Sequence, residues 1–171
     1  MFQGAVTLSL DAKGRIVVPA RFRAALAPED RPVVLTAHPH KCLLVYPEAV
    51  WAPIRERIVA LPGLDPRTAA LKRLLVGFAQ EEELDASGRV SVAASLRQWA
   101  GLEKNVWLVG QGTHFELWSE AGWQAQQQAM IDFEQPEQWH RRALLNICRM
   151  GEFSSDRTIR GYARDIWGIT S

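Results

Sequence analysis

The sequence predicts an α+β fold in which two copies of one small β-rich unit close a barrel, with helices packed outside it. The first observation is a repeated turn, because Asp11-Ala-Lys-Gly-Arg15 and Asp85-Ala-Ser-Gly-Arg89 each follow a leucine and precede a β-branched run. The second is that strands and proline- or glutamate-initiated helices follow both turns in the same order. A repeat of this kind indicates internal duplication.

The first copy begins with Ala5–Leu10, where apolar and polar residues alternate as in a half-buried strand. A turn follows, since Asp11 can bond its own backbone and Gly14 tolerates a positive φ. The remaining predicted elements of this copy are a strand through Ile16 and Val18, a helix over Pro19–Leu26, strands Val33–Thr36 and Cys42–Tyr46, a helix from Glu48 to about Leu61, and a helix from Asp65 or Pro66.

The second copy repeats this order, and Ala79–Leu84 is predicted to pair with Arg89–Val92. Glu82 stands where the first copy has Leu8, which predicts either a place at the barrel rim or a shift of strand register. The later predicted elements are a helix over Ala94–Ala100, strands Val106–Val109 and Phe115–Trp118, a helix opening at Glu120, and tail helices Trp123–Ile131 and Trp139–Met150.

The two copies are expected to fold together, because a unit of about 50 residues cannot bury a stable core alone. Interleaving their hairpins closes a barrel and removes exposed strand edges. Ile16 and Val18 take the core face, so Arg15 points away from the core. Arginine suits bidentate contact with phosphate or guanine, and a β-ribbon can enter the major groove.

A plainer interpretation of the same turns is an ion pair between the aspartate and the arginine that only fixes the turn. Such surface pairs contribute about 0–1 kcal/mol. The spacing alone leaves both interpretations open, and the duplication favours a binding role because a turn-fixing pair does not require the same arginine twice.

Composition and charge limit the possible partners and location of the protein. The net charge is only +1, and the basic residues concentrate in the first copy, at Lys13, Arg15, Arg21 and Arg23. No apolar run approaches the ~20 residues of a membrane span, and the N-terminus lacks a signal peptide, which predicts a cytosolic protein. The two cysteines, Cys42 and Cys148, are too few for a disulfide framework.

Catalysis, metal binding and cofactor binding are not expected. His38, His40, His114 and His140 are scattered, and no nucleophile motif, phosphate-binding loop or dinucleotide fingerprint occurs. His38, His40 and Cys42 alternate as metal ligands on one strand face would. Pro39 interrupts that strand and no fourth ligand is evident. We therefore predict neither an enzyme nor a small-molecule substrate.

The chain resembles the MraZ family over about residues 1–130. The residues that carry the resemblance are the opening Met-Phe-x-Gly, Leu10-Asp-Ala-Lys-Gly-Arg15, Pro19-x-Arg21, Cys42-Leu-x-x-Tyr-Pro47, Leu74-Leu75-x-Gly77, Asp85-x-x-Gly-Arg89, Leu96-Arg97, Ala100-Gly-Leu102 and Val109-Gly-Gln-x-x-x-Phe115-Glu-x-Trp118.

The resemblance implies two tandem AbrB-like swapped-hairpin units that form a β-barrel, with helices outside and a helical C-terminal tail. It implies DNA-binding units over 5–52 and 80–124, connecting helices over 53–79 and a helical segment over 125–171. It also assigns the DNA contact to residues in or beside the turns, namely Lys13, Arg15, Arg21 and Arg89.

The implied function is a sequence-specific DNA-binding transcriptional regulator, with repression as the expected output. It would act as a ring-like homo-oligomer on direct repeats in the promoter of the bacterial division and cell-wall gene cluster, its own gene included. The expected location is cytoplasmic and nucleoid-associated. The alternative is a protein-binding AbrB-like scaffold resembling an antitoxin.

Two departures from the family pattern stand out. The acidic run Glu81–Glu83 indicates weaker DNA binding by the second hairpin. The segment after about Gly151 extends beyond the resemblance, and a packed arm, an interface element and a disordered tail all remain open for it.

Overall fold

A computed structural model describes residues 1–134, of which residues 1–125 form one compact unit. The predicted helix Trp139–Met150 and the segment after Gly151 lie outside the described residues. The elements in chain order are β1 (Ala5–Ser9), β2 (Arg15–Val17), α1 (Ala20–Leu26), a 3-10 turn (Pro28–Asp30), β3 (Val33–Ala37), β4 (Leu43–Pro47), α2 (Glu48–Ala60), α3 (Pro66–Leu75), β5 (Gln80–Glu82), β6 (Arg89–Ser91), α4 (Ala94–Trp99), β7 (Asn105–Gly110), β8 (Phe115–Ser119) and α5 (Glu120–Glu134).

The strands form two antiparallel sheets that interleave the repeats. The larger sheet has the order β1-β7-β8-β4-β3-β5, and β2 pairs with β6 in a separate two-stranded ribbon. The first strand of each repeat therefore joins the strands of the other repeat, β1 beside β7 and β5 beside β3. Ile16 and Val90 pair across the ribbon and are both buried.

The predicted pairing of Ala79–Leu84 with Arg89–Val92 is wrong. β5 pairs with β3 and β6 pairs with β2, so the two strands that flank the turn have partners in the first repeat. Alternation of apolar residues specifies which face of a strand is buried and leaves its partner undetermined. Pairing across the repeats gives both short strands backbone hydrogen-bond partners and places Val90 of β6 in the core.

Glu82 occupies the place of Leu8 without a shift of register. Leu8 lies opposite Val106, and Glu82 lies opposite Val33. Val106 also pairs with Ser119, the last residue of β8, and Val33 pairs with Pro47, the last residue of β4. The two valines therefore hold equivalent positions in the two repeats. The Glu82 side chain is partly buried, and the loss of solvation raises its pKa above the usual value.

The large sheet is covered on both faces. One face packs against the ribbon, with α1 and α4, around a core that includes Leu35, Val45, Leu108, Phe115 and Leu117. The other face is covered by α2 through Trp51 and Ile58, and by Trp123 of α5 beside Cys42 and Trp118. The ribbon and α2 therefore lie on opposite faces of the sheet. No helix within residues 1–134 has the length and apolar character to cross a membrane.

Candidate nucleic-acid interface

The first turn is built around the side chain of Asp11. Its Oδ1 accepts hydrogen bonds from the backbone N–H of Lys13 (2.8 Å) and of Arg15 (2.9 Å). Its Oδ2 accepts from Arg15 Nε at 2.8 Å and lies 2.7 Å from Arg15 Nη2. Gly14 has φ +76°, a left-handed conformation that a residue with a Cβ adopts only at a cost. The turn thereby fixes both the backbone and the guanidinium of Arg15.

The second turn repeats this geometry. Asp85 Oδ1 accepts from the backbone N–H of Ser87 (2.9 Å) and of Arg89 (3.0 Å), and Oδ2 accepts from Arg89 Nε at 2.7 Å. Gly88 has φ +74°. Two stretches of different surrounding sequence therefore hold an arginine in the same way.

The ribbon brings the two arginines to one surface. Arg15 pairs with Ser91 and Val17 pairs with Arg89, so these four residues share the face of the ribbon that points away from the core. Arg15 Nη1 also lies 3.9 Å from Asp85 Oδ2, which links the two turns directly. The side chains of Arg15 and Arg89 remain 27% and 35% exposed. The structure thus brings the predicted residues Arg15 and Arg89 together on one surface.

The aspartates are charged under all ordinary conditions. The Arg15 guanidinium hydrogen bond, followed by the Arg15 backbone N–H, lowers the pKa of Asp11 to about 2. The pKa of Asp85 is also lowered, mainly by the hydrogen bond from the backbone N–H of Arg89 and to a smaller extent by the bond from its side chain. The ion pair of the plainer interpretation is therefore present in both turns. It leaves several of the five guanidinium N–H donors of each arginine for other partners.

Lys13 and Arg21 are placed differently from the paired arginines. Lys13 is exposed in the first turn, and Arg21 is exposed on α1 with its guanidinium 4.6 Å from the centroid of the Phe22 ring. Neither cation forms an ion pair within the part of the chain that the structure describes. Phe22 packs on Phe115 in the core, which anchors this part of α1.

Two further arginines contact the turns and were not assigned to the site from the sequence. Arg23 on α1 lies against Gly88, and Arg97 on α4 lies against Gly14. A signal was available, because these two arginines hold the same place in the two repeats. Their contacts are with the turn of the opposite repeat, which only the interleaving of the strands creates.

The histidines form no metal site in the described chain, where no group of three or more histidine, cysteine or acidic residues is arranged to hold an ion. His38 and His40 pack edge to face at 4.7 Å between ring centroids, and the carbonyl of His38 accepts a hydrogen bond from Trp99 Nε1 at 3.0 Å. Burial lowers the pKa of His38. Cys42 is fully buried and its pKa is raised to about 12, also by burial. These residues support the turn between β3 and β4.

Comparison with known proteins places this sequence in one family. A family model described as "MraZ protein, putative antitoxin-like" matches the chain twice, over residues 1–74 and 75–146. The transcriptional regulator MraZ of Aromatoleum aromaticum is 74% identical over 131 residues, which cover 77% of this chain and 89% of that protein. Proteins of the same name from an Azoarcus species and from Dechloromonas aromatica are 70% and 58% identical, with 89% and 86% of their lengths covered.

The duplicated match agrees with the duplicated turn, and the similarity extends over most of the length of each relative. Because the family model covers more than half of the chain, it settles the relationship. The chain belongs to the MraZ family of transcriptional regulators.

Proposed function

We propose that this regulator binds double-stranded DNA through the two turns, with the outer face of the β2–β6 ribbon in the major groove. The observation that carries the proposal is the pairing of Arg15 and Arg89 on one exposed face, each held by its own aspartate. A two-stranded ribbon fits the width of the major groove. Arginines held in place before binding lose less conformational entropy when they contact a base.

The four predicted contact residues divide into two roles. Arg15 and Arg89 have their charge balanced by Asp11 and Asp85, which weakens their attraction to phosphate and leaves N–H donors for guanine O6 and N7. Lys13 and Arg21 have no carboxylate partner among residues 1–134, so their charge is available to phosphates. We assign base reading to the paired arginines and phosphate contact to Lys13 and Arg21.

A single copy of this surface is expected to bind weakly, because its two aspartates offset its two arginines and the whole chain carries a net charge of only +1. A homo-oligomer gains affinity by presenting several such surfaces at once. A ring-like arrangement, which the family resemblance implies, would present them in the same orientation. Direct repeats in the DNA are the matching operator.

The remaining parts of the proposal follow from the family resemblance. The protein acts in the cytoplasm on nucleoid DNA, as a repressor at the promoter of the division and cell-wall gene cluster that includes its own gene. The AbrB-like DNA-binding units are 5–52 and 80–124, joined by the helices of 53–79, with a helical segment over 125–171. Interleaving of these units is proposed to close a β-barrel.

The test is fluorescence anisotropy with a labelled fragment of the chain's own promoter and a scrambled fragment of equal length and composition. Titrations at two salt concentrations compare the wild type with Arg57→Ala, a control on the opposite face of the sheet that loses the same charge. The promoter fragment is expected to bind more tightly than the scrambled one, with affinity that falls steeply as salt rises. Arg57→Ala is expected to match the wild type.

Equal binding to both fragments, or an affinity insensitive to salt, would contradict the proposal. The turns would then be ion-paired structural elements, and the protein-binding scaffold would become the better account of the fold.

A further inference from the structure

Arg23 and Arg97 lie across the bare backbone of the turn glycines. A Cβ added to Gly14 would come within 2.8 Å of both Cζ and Nε of Arg97, and one added to Gly88 would overlap the guanidinium of Arg23. Both glycines are buried although their turns are exposed. Each guanidinium therefore covers the turn that belongs to the other repeat.

Hydrogen bonds hold Arg23 in this place. Its Nε donates to the carbonyl of Val18 at 2.8 Å, and the N–H of Val18 donates to the carbonyl of Gly88 at 2.9 Å. Val18 is fully buried, so the connection is shielded from water. Arg23, Val18 and Gly88 form a continuous bridge from α1 to the second turn.

Arg97 makes the equivalent bridge to the first turn. Its Nε donates to the carbonyl of Val92 at 3.0 Å, and the N–H of Val92 donates to the carbonyl of Gly14 at 2.9 Å. The two bridges are crossed, since each begins in one repeat and ends in the turn of the other.

The glycine at the end of each bridge immediately precedes the arginine assigned to base reading, Arg15 or Arg89. A small change in the backbone at that glycine displaces the guanidinium of the next residue. Binding groups require placement to within about 0.5 Å to keep their hydrogen bonds. The planar guanidinium of Arg23 or Arg97 can lie flat on a peptide backbone, which the ammonium of a lysine cannot do.

We propose that Arg23 and Arg97 are crossed positioning residues for DNA recognition. Arg97 of the second repeat sets the position of Arg15, and Arg23 of the first repeat sets the position of Arg89. The proposal rests on the proposed function in one respect, namely that Arg15 and Arg89 contact DNA.

Double-mutant cycles in promoter binding test the crossing. Arg97→Met is expected to lower affinity roughly five- to tenfold in the wild-type protein and in Arg89→Ala, with no further loss in Arg15→Ala. Arg23→Met is expected to show the reverse pattern, with its effect absent only in Arg89→Ala. Equal losses in both backgrounds would mean that Arg23 and Arg97 touch DNA themselves, and would overturn the proposal.

A second measurement needs no DNA. Amide hydrogen exchange at Lys13 and Arg15 is expected to accelerate in Arg97→Met, whereas exchange at Ser87 and Arg89 stays near the wild-type rate. Arg23→Met is expected to do the opposite, and Arg57→Met, which loses the same charge, is expected to change neither turn. Acceleration in the turn of the variant's own repeat, or in neither turn, would overturn the proposal.

Failure of a variant to fold and failure of the proposed DNA-binding function can each be told apart from failure of this proposal. If a methionine variant fails to fold, Arg23→Lys and Arg97→Lys keep the charge and the aliphatic stem, and the crossed exchange pattern is expected in them too. If the exchange pattern holds while the wild type shows no preference for its promoter, the crossed bridges are upheld as structure. The assignment to DNA recognition then fails together with the proposed function.

Discussion

The first and second turns have the same geometry and different charge. Both hold an arginine through two hydrogen bonds to one aspartate, from the backbone N–H and from Nε, and both place a glycine at a positive φ. The first carries Lys13 where the second carries Ser87. The strand before the second turn contains Glu82, where the first repeat has Leu8. The two repeats therefore place the arginine in the same way but surround it with different charges.

If the two turns bind DNA as proposed, this difference predicts that they contribute unequally to the affinity. An arginine in a more positive setting gains more from nearby phosphates, while the hydrogen-bonding capacity of both guanidiniums is the same.

The largest effect is expected from removal of the reading arginines. Arg15→Ala should weaken promoter binding about ten- to hundredfold and Arg89→Ala by less, because Arg15 lies in the more basic turn. Affinity for scrambled DNA should fall much less in both variants, so that the specificity ratio falls. Anisotropy titrations on both fragments measure this. A larger loss for Arg89→Ala would reverse the proposed ranking of the turns.

The next effect comes from exchanging the third residue of the turns. Ser87→Lys should strengthen binding several-fold and Lys13→Ser should weaken it several-fold, because each lysine adds or removes about one phosphate contact. The change should be similar for promoter and scrambled DNA, and the slope of affinity against salt should shift by about one. A change confined to the promoter fragment would instead assign base reading to this position.

A smaller effect is expected in the acid titration of the aspartates. Arg15→Met should raise the pKa of Asp11 from about 2 toward its ordinary value, since the Arg15 side chain is the largest cause of the shift. Arg89→Met should change the pKa of Asp85 less, since the backbone N–H of residue 89 remains. Carboxyl carbon chemical shifts followed over pH measure both. In the wild type, the stability contributed by Asp11 is complete above its unfolded pKa and is lost as pH falls toward 2.

The smallest effect is expected at Glu82. Glu82→Leu restores the apolar side chain of the first repeat and should stabilise the fold by about 1 kcal/mol or less, because the position is only partly buried. The raised pKa of Glu82 means that the folded state favours its protonated form, so the gain should shrink as pH falls below that pKa. Denaturant unfolding at two pH values measures this, with Glu83→Leu at an exposed neighbouring position as the control.

The two turns could be predicted from the sequence because each is formed by residues that are close together in the chain. The repeated aspartate, glycine and arginine define both turns, and the start of the helix at Glu48 was predicted and is confirmed. Strand partners were not accessible, because the alternation in Ala5–Leu10 determines a face and not a neighbour. The contacts of Arg23 and Arg97 depend on that interleaving, so they too could be found only from the structure.

A reading surface shared by the two turns is tested by DNA cleavage from an iron chelate tethered at equivalent places on both. Ala12→Cys and Ala86→Cys are exposed sites, and each is made in a Cys148→Ser protein, while Cys42 is buried with a pKa of about 12 and is inert to the reagent. Cleavage of the promoter repeats is expected from both turns, and none is expected from Arg57→Cys on the opposite face. Cleavage from Arg57→Cys alone, or from only one of the two turns, would contradict a shared reading surface.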